Sequence, residues 1–234
     1  MKNIQLVLIG LFCSMGIYAQ EVNDMNAEKR EAGNFHGIHL SSAFDVYLSQ
    51  GSEEAVAVSA SETKFRDRIK VSVKDGILYI DYDSEGKWGS GNHKLKAYIS
   101  FKQIDKLTVS GACDVIASGT VKSEKLDVHL SGASDLKIKL DVSKLSVDLN
   151  GASDMSVSGT AAQLDVEASG ASDFKGFDLA TDICNARASG ASDVKITVNK
   201  ELSAQATGAS DVRYKGSGVI KDLKSSGSSS VSKG

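Results

Sequence analysis

The chain has 234 residues, 41% hydrophobic and 24% charged, with no proline and only 6% aromatics; such a composition belongs to a folded protein with room for a core rather than to a disordered tail. The formal net charge is −3 with a pI near 5.8, and the lysines stand singly among aspartates, so the basic stripe of a nucleic-acid-binding protein is lacking. Glycine, serine, aspartate and β-branched residues dominate, a mixture that favours sheet joined by tight turns.

Residues 1–19 begin with Lys2 and run apolar from Ile4 to Tyr18 before Ala19. The run is shorter than the roughly 20 residues of a membrane-spanning helix and has no basic flank after it, so it reads as a secretory signal cleaved after Ala19. Cys13 follows Leu11 and Phe12, where a lipoprotein signal calls for a small residue. No later stretch is long and apolar enough to span a membrane. Residues 20–32 are expected to be a flexible lead-in.

Residues 33–105 are expected to form a strand-rich, less regular β domain. Residues 40–46, Leu-Ser-Ser-Ala-Phe-Asp-Val, resemble a phrase that recurs later, with Ser42 where that phrase has glycine. Asp75-Gly76 between alternating apolar runs marks a hairpin. Residues 94–101 read as a strand. Residues 84–92 read as an exposed loop carrying Trp88, which with Tyr82 is a candidate aromatic platform for sugars; a tryptophan folded back on a sheet edge is the alternative.

From residue 106 a repeat takes over and extends to 234. Its phrase, Ser-Gly-Ala-Ser-Asp, stands at 131–135, 169–173 and 189–193, with close variants at 110–114, 150–154 and 207–211 and a last copy at 226–230 without the aspartate. The glycines are Gly111, Gly132, Gly151, Gly170, Gly190, Gly208 and Gly227, at successive spacings of 21, 19, 19, 20, 18 and 19. So even a period means stacked structural units.

Six residues before each glycine come Leu126, Leu145, Leu164, Cys184 and Leu202; four before come Val128, Val147, Val166, Ala186 and Ala204. Charged residues such as Asp127, His129, Glu167 and Arg187 alternate with them, which describes a strand with one buried face. A second strand follows each phrase, marked by Val115, Leu136, Met155, Phe174, Val194 and Val212. Nineteen residues trace about 60 Å of extended chain, enough for one turn of a coil. The fold expected is all-β: a parallel β-helix or β-roll with coils of about 19 residues and a degenerate C-terminal cap, its lysine-serine tail guarding against edge pairing. A leucine-rich repeat would need a helical segment and an asparagine ladder, and the sequence has neither.

The phrase itself reads as a corner. Glycine enters a left-handed conformation without penalty, alanine is small enough to face the inside of the bend, and the Ser and Asp side chains accept backbone N–H groups. Stacking would bring Asp135, Asp154, Asp173 and Asp193 to about 4.8 Å spacing, where two unit charges repel by about 0.9 kcal/mol in water. Compensation is expected from Lys137, Lys175, Lys195 and Arg213, without a cofactor; a weak calcium site is the alternative, although calcium wants more oxygen ligands than one carboxylate per rung. Cys113 and Cys184 lie about four rungs, or about 19 Å, apart in this register, too far for a disulfide.

Little here supports catalysis. His36 and His39 are placed on opposite faces of a strand and make a poor metal pair, and His129 alternates with Val128 and Leu130 on the outer surface. No Gly-x-Ser-x-Gly elbow, phosphate loop or HExxH is present. A β-helical polysaccharide lyase or hydrolase is the enzyme alternative, against which stands the near-constant coil length.

The residues at 33–39, Gly-Asn-Phe-His-Gly-Ile-His, those at 43–48, Ala-Phe-Asp-Val-Tyr-Leu, the Asp75-Gly76 hairpin and the serial Ser-Gly-Ala-Ser-Asp phrases resemble the bacterial head GIN domain family of adhesin-like heads. The resemblance implies an exported β-helical domain, periplasmic or on the outer surface, without established activity. The function expected is therefore a noncatalytic binding or adhesion module. Its partner would be a cell-envelope glycan or protein, with Trp88, Tyr82 and the aspartates Asp135, Asp154, Asp173 and Asp193 as binding candidates. A purely structural envelope protein is a further alternative.

Overall fold

The computed structural model describes residues 24–84 and 93–234. Its elements in chain order are β1 (Glu28–Arg30), β2 (Gly37–Leu40), β3 (Asp45–Gln50), β4 (Ala55–Ser59), the single helical turn α1 (Thr63–Arg66), β5 (Ile69–Lys74), β6 (Ile77–Tyr82), β7 (Lys96–Phe101) and β8 (Lys106–Val109). The repeat contributes β9 (Asp114–Leu130), β10 (Asp135–Leu149), β11 (Asp154–Ala168), β12 (Asp173–Ala188), β13 (Asp193–Gly208), β14 (Asp211–Lys215), β15 (Val219–Gly227) and β16 (Ser230–Lys233). The expected leader at 1–19 and the expected loop tryptophan, Trp88, lie outside the described residues.

The coil is present and in register. β9 to β13 lie side by side and parallel, with Leu145 beside both Leu126 and Leu164, Leu164 beside Cys184, and Cys184 beside Leu202. These residues are all but fully buried and belong to a continuous apolar core. Parallel strands buried on one face and stacked rung upon rung satisfy every ladder hydrogen bond between equivalent residues, which is why an apolar residue at one position forces an apolar residue 19 or so later. The strand is longer than expected. β9 pairs with β3 through its first residues and with β8 through its last, so one continuous strand bends from one flank of the column to another.

Each glycine of the phrase turns the chain with a positive φ, +82° at Gly151 for instance. A second reason for glycine appears only in the stack: a Cβ at Gly151 would sit 2.6 Å from the Gly132 carbonyl oxygen one rung below. The corners are bonded rung to rung, with the N–H of Ala133, Ala152, Ala171, Ala191 and Ala209 donating 2.7 to 2.8 Å bonds to the carbonyls of Gly111, Gly132, Gly151, Gly170 and Gly190.

The expected inside of the corner is corrected. The alanines are exposed, and the serine after each of them is buried: Ser134, Ser153, Ser172, Ser192 and Ser210 are all 0% exposed. A buried hydroxyl is tolerable only when bonded. Here Ser153 Oγ donates to the Asn150 carbonyl at 2.9 Å, and Ser210 Oγ donates to the Thr207 carbonyl at 2.8 Å while accepting the Thr207 N–H at 3.1 Å. Cys113 occupies this position in the first copy, its Sγ 3.6 Å from the Ser110 carbonyl; Cys113 and Cys184 are both free.

The first half is hydrogen-bonded into the same sheet as the repeat. β2 and β3 flank a corner at 41–44 in which Ser42 takes the glycine's place at φ +77°. Together they make a rung on which β8 and β9 stack. β6 and β7 come later in sequence yet lie on the other side of β2 and β3, in parallel with them. Antiparallel strands close that end of the column: β5 on β6, β4 on β7 and β1 on β4. Residues 28–30, expected within a flexible lead-in, are thus a strand of the closure. The β5–β6 hairpin turns at Asp75 and Gly76 with φ of +51° and +74°, the pair of left-handed residues that a two-residue turn of this type needs.

Candidate functional site: the outward files of one flank

Where the register holds, stacking turns an outward position into a file along the column; the register shifts only farther on, past Lys137, Ser156 and Gly176. The aspartates closing each phrase form one such file, in the order Asp45, Asp114, Asp135, Asp154, Asp173, Asp193 and Asp211, followed by Ser230. Two basic side chains offset it. Lys175 Nζ lies 2.6 Å from Asp154 Oδ2 and 3.7 Å from Asp173 Oδ2, and Arg213 lies 3.1 Å from Asp211. Ser230 Oγ donates to Asp211 at 2.7 Å. Lys175 is held above the ordinary lysine range, first by its hydrogen bond to Asp154 and then by the surrounding carboxylates. Asp135 goes the other way from a paired carboxylate: partial burial, then Asp154 and Asp114, push it up.

Two residues beyond the aspartates lies the next outward file, Tyr47, Ile116, Lys137, Ser156, Lys175, Lys195 and Arg213, which Tyr98 of β7, two residues beyond Lys96, extends at the closed end. It begins aromatic and ends basic. The Tyr47 and Tyr98 rings stack with centroids 5.2 Å apart and planes 13° apart, and Ile116 beside them is exposed. Tyr98 donates its hydroxyl to Asp24 at 3.0 Å. Burial, and then that carboxylate, push the phenol above its ordinary value. Burial also works against the charge of Asp24, but hydrogen bonds from the Asn26 N–H, Ser59 and Tyr98 outweigh it and hold the carboxyl low. From Tyr47 and Ile116 onward the strip was readable in the sequence by aligning on the aspartate and inspecting outward as well as inward positions; Tyr98, which follows no aspartate, was not.

Another flank carries a shallow depression of about 160 Å³ lined by His129, Ser146, Asp148, Asp165, Glu167 and Arg187. His129 is exposed there, as expected, with Nδ1 3.4 Å from Asp148. His36 faces Asp105 at 2.9 Å and His39 packs on the Tyr79 ring. Among the described residues no three His, Cys, Asp or Glu side chains converge so that they could hold a metal ion; the aspartates follow one another along the column instead.

Tyr82 is corrected as a platform residue. It is only 6% exposed, packed between the His93 ring and the Arg68 guanidinium, each about 5.4 Å away. Its inward direction follows from strand alternation, since Leu78 and Ile80 of β6 also point into the core.

The files define a β-solenoid whose polar surface is repeated backbone dressed with variable side chains, rather than a pocket of convergent catalytic groups. Residues 34–218 match the family described as "Putative auto-transporter adhesin, head GIN domain", and the chain belongs to that family. Solved structures share the fold. One described as a "putative adhesin" from Bacteroides fragilis superposes with a TM-score of 0.83 at 21% identity, over 88% of this chain and 95% of its own. One from Parabacteroides merdae, also described as a "putative adhesin", gives 0.71 at 17% identity over 89% and 95%. One from Parabacteroides distasonis, described as a "Putative lipid binding protein", gives 0.70 at 19% identity over 90% and 98%. No curated protein matches the chain. The family is adhesin-like, and among the described residues no helix is long and apolar enough to cross a membrane.

Proposed function

We propose that the protein is an exported, noncatalytic binding module that lays a glycan or protein of the cell envelope along the flank bearing the aspartate file and the Tyr98–Tyr47–Ile116 strip. The observation that carries this reading is the register: from the aspartate to the second residue beyond it, equivalent outward residues follow one another from rung to rung at the strand spacing of about 4.8 Å. A linear polymer meets such a surface over many rungs at once, gaining affinity from many weak contacts rather than from one enclosed pocket. The half-buried tyrosine rings and the exposed Ile116 supply apolar contact, while the Asp and Lys groups bond hydroxyls.

The flank needs no metal in this reading: Lys175 lies against Asp154 and Asp173 and Arg213 against Asp211, while the remaining repulsion is borne by Asp135. A lipid would have to lie on the outside of the column, since the inside is filled by the stacked leucine, valine and alanine files.

The test is binding of the pure protein to a panel of envelope polysaccharides, to phosphatidylglycerol vesicles and to calcium, comparing wild type with Y47A/I116S, with a fourfold Asp-to-Asn variant at 135, 154, 173 and 193, and with W88A. The expected result is at least a tenfold loss of polymer affinity in the first two, with the fold intact by circular dichroism. Loss confined to W88A would move the site to the loop. Turnover of a polysaccharide would make the protein a carbohydrate-active enzyme instead, and calcium-dependent melting abolished by the Asp-to-Asn changes would restore the cation site.

A further inference from the structure

The two ends of the column differ. Antiparallel strands close the end at β5 and β4, whereas the final rung is a parallel edge: β15 pairs with β13 and β16 with β14, and along their far sides no strand pairs among the described residues. The apolar files run into this edge and emerge from it. Ile220 is registered on Leu202 but is 45% exposed where Leu202 is 1% exposed, and Val219 beside it is 63% exposed. Leu223, on Ala204, and Val231, on Val212, are only partly covered. The tail expected to guard this edge therefore leaves both ladder groups and core residues open, the arrangement that invites pairing with another strand.

The sequence of β15 points to which strand. Leu223 faces inward, and the exposed residues on either side of it are Asp222 and Lys224. An antiparallel pairing of β15 with a second β15, twofold about Leu223, sets Asp222 of each copy opposite Lys224 of the other and Leu223 opposite Leu223. Lys221 falls opposite Ser225, so no like charges meet. Directly opposed residues of antiparallel strands share a face, so both Leu223 side chains stay on the core side while both charge pairs stay outside; the irregularity at Lys221, between Ile220 and Asp222, leaves Ile220 beyond this regular stretch. Within one chain Asp222 and Lys224 already approach to 2.6 Å, on an exposed surface where such a pair contributes little. The same two charges exchanged across a twofold neutralise the edge lysine that would otherwise repel a partner. A closed, isologous contact also explains how an open parallel edge avoids endless stacking: once two ends meet, neither copy has another edge of this kind to offer.

We infer that the protein associates end to end with a second copy of itself through β15, antiparallel about Leu223, into a dimer with both closed ends outward. The surface is separate from the flank proposed for ligand binding. The test is the mass of the full chain by sedimentation and light scattering across a dilution series. Wild type is expected at twice the monomer mass, D222K and K224D each at the monomer mass, and the double swap D222K/K224D at twice the monomer mass again, because the pairs reform with signs reversed. These residues are exposed, so circular dichroism should be alike in all four proteins, while the melting points of wild type and the double swap should rise with protein concentration and those of the single reversals should not. Wild type that stays monomeric throughout, a dimer that ignores the single reversals, or a double swap that remains monomeric would each overturn the inference.

Discussion

Replacing Gly151 with alanine tests the stacked corner where it is most constrained. At φ +82° an alanine carries a left-handed penalty of about 1–2 kcal/mol, offset in part by a gain of about 0.4–1 kcal/mol from the lost flexibility of the unfolded chain. Were that all, the loss would be near 1 kcal/mol. The added Cβ, however, would lie 2.6 Å from the Gly132 carbonyl oxygen, 3.1 Å from its nitrogen and 3.4 Å from its carbon, all main-chain atoms that cannot rotate away. Moving them breaks the 2.8 Å bond from Ala152 N–H to the Gly132 carbonyl, worth about 1 kcal/mol, and tilts one rung on the next, so G151A should lose about 3 kcal/mol in all. The control is Gly119, at φ +73° with nothing within 4 Å of a Cβ, where G119A bears the backbone penalty alone. In thermal melts followed by circular dichroism, at about 2–4 °C per kcal/mol, G151A should melt about 6–12 °C below wild type and G119A about 2–4 °C below. Equal shifts in the two variants would refute the reasoning, since they would mean that the rung below exerts no constraint.

The corner serine gives a second expectation: S153A leaves the Asn150 carbonyl without its 2.9 Å donor and should lose about 1 kcal/mol in urea titrations, while C113S, which installs the residue found in the other phrases, should change stability by less than that. A Cβ on Gly176 would strike the Phe174 ring, at the position where the next rung carries Ile196; G176A should therefore lose about 1–3 kcal/mol, and a double-mutant cycle with F174L should show the two losses to be strongly non-additive. Because burial and its acidic neighbours raise the folded-state pKa of Asp135, folding takes up protons there and stability from this group declines as pH rises through the carboxylate range. D135N should then melt above wild type at neutral pH, with the advantage vanishing in acid; a lower melting point at neutral pH would contradict the repulsion.

Register and corner positions were readable because a coil writes each of its constraints several times over. Leu126, Leu145 and Leu164 recur because each sits on the last, and Asp75-Gly76 announces its turn through backbone geometry alone. The inside of the corner was read wrongly for a physical reason. Small size alone favours the alanine inward, whereas the turn brings the carbonyl of the residue that opens the phrase, such as Asn150, within reach of the serine three residues on, and that bond makes serine the better buried residue. The rung built from β6 and β7 had no signature, because its strands are inserted out of sequence order and no five-residue phrase joins them. Tyr82 looked available only because its neighbours in space were unknown.

The same division explains why architecture shows through the sequence and a ligand does not. Inward residues are held by two neighbouring rungs, so a change at Leu145 or Ser153 costs stability directly. Outward residues such as Tyr47, Ile116, Lys137 and Ser156 share one file yet differ entirely in chemistry, since an exposed substitution disturbs folding by only about 0.5 kcal/mol. A scaffold of this kind lets its surface vary while its backbone stays fixed. Specificity must therefore reside in the residues that break the repeat on the outside, which makes the passage from Tyr98 and Tyr47 through Ile116 to Lys175 and Arg213 the part of the molecule where recognition should be sought first.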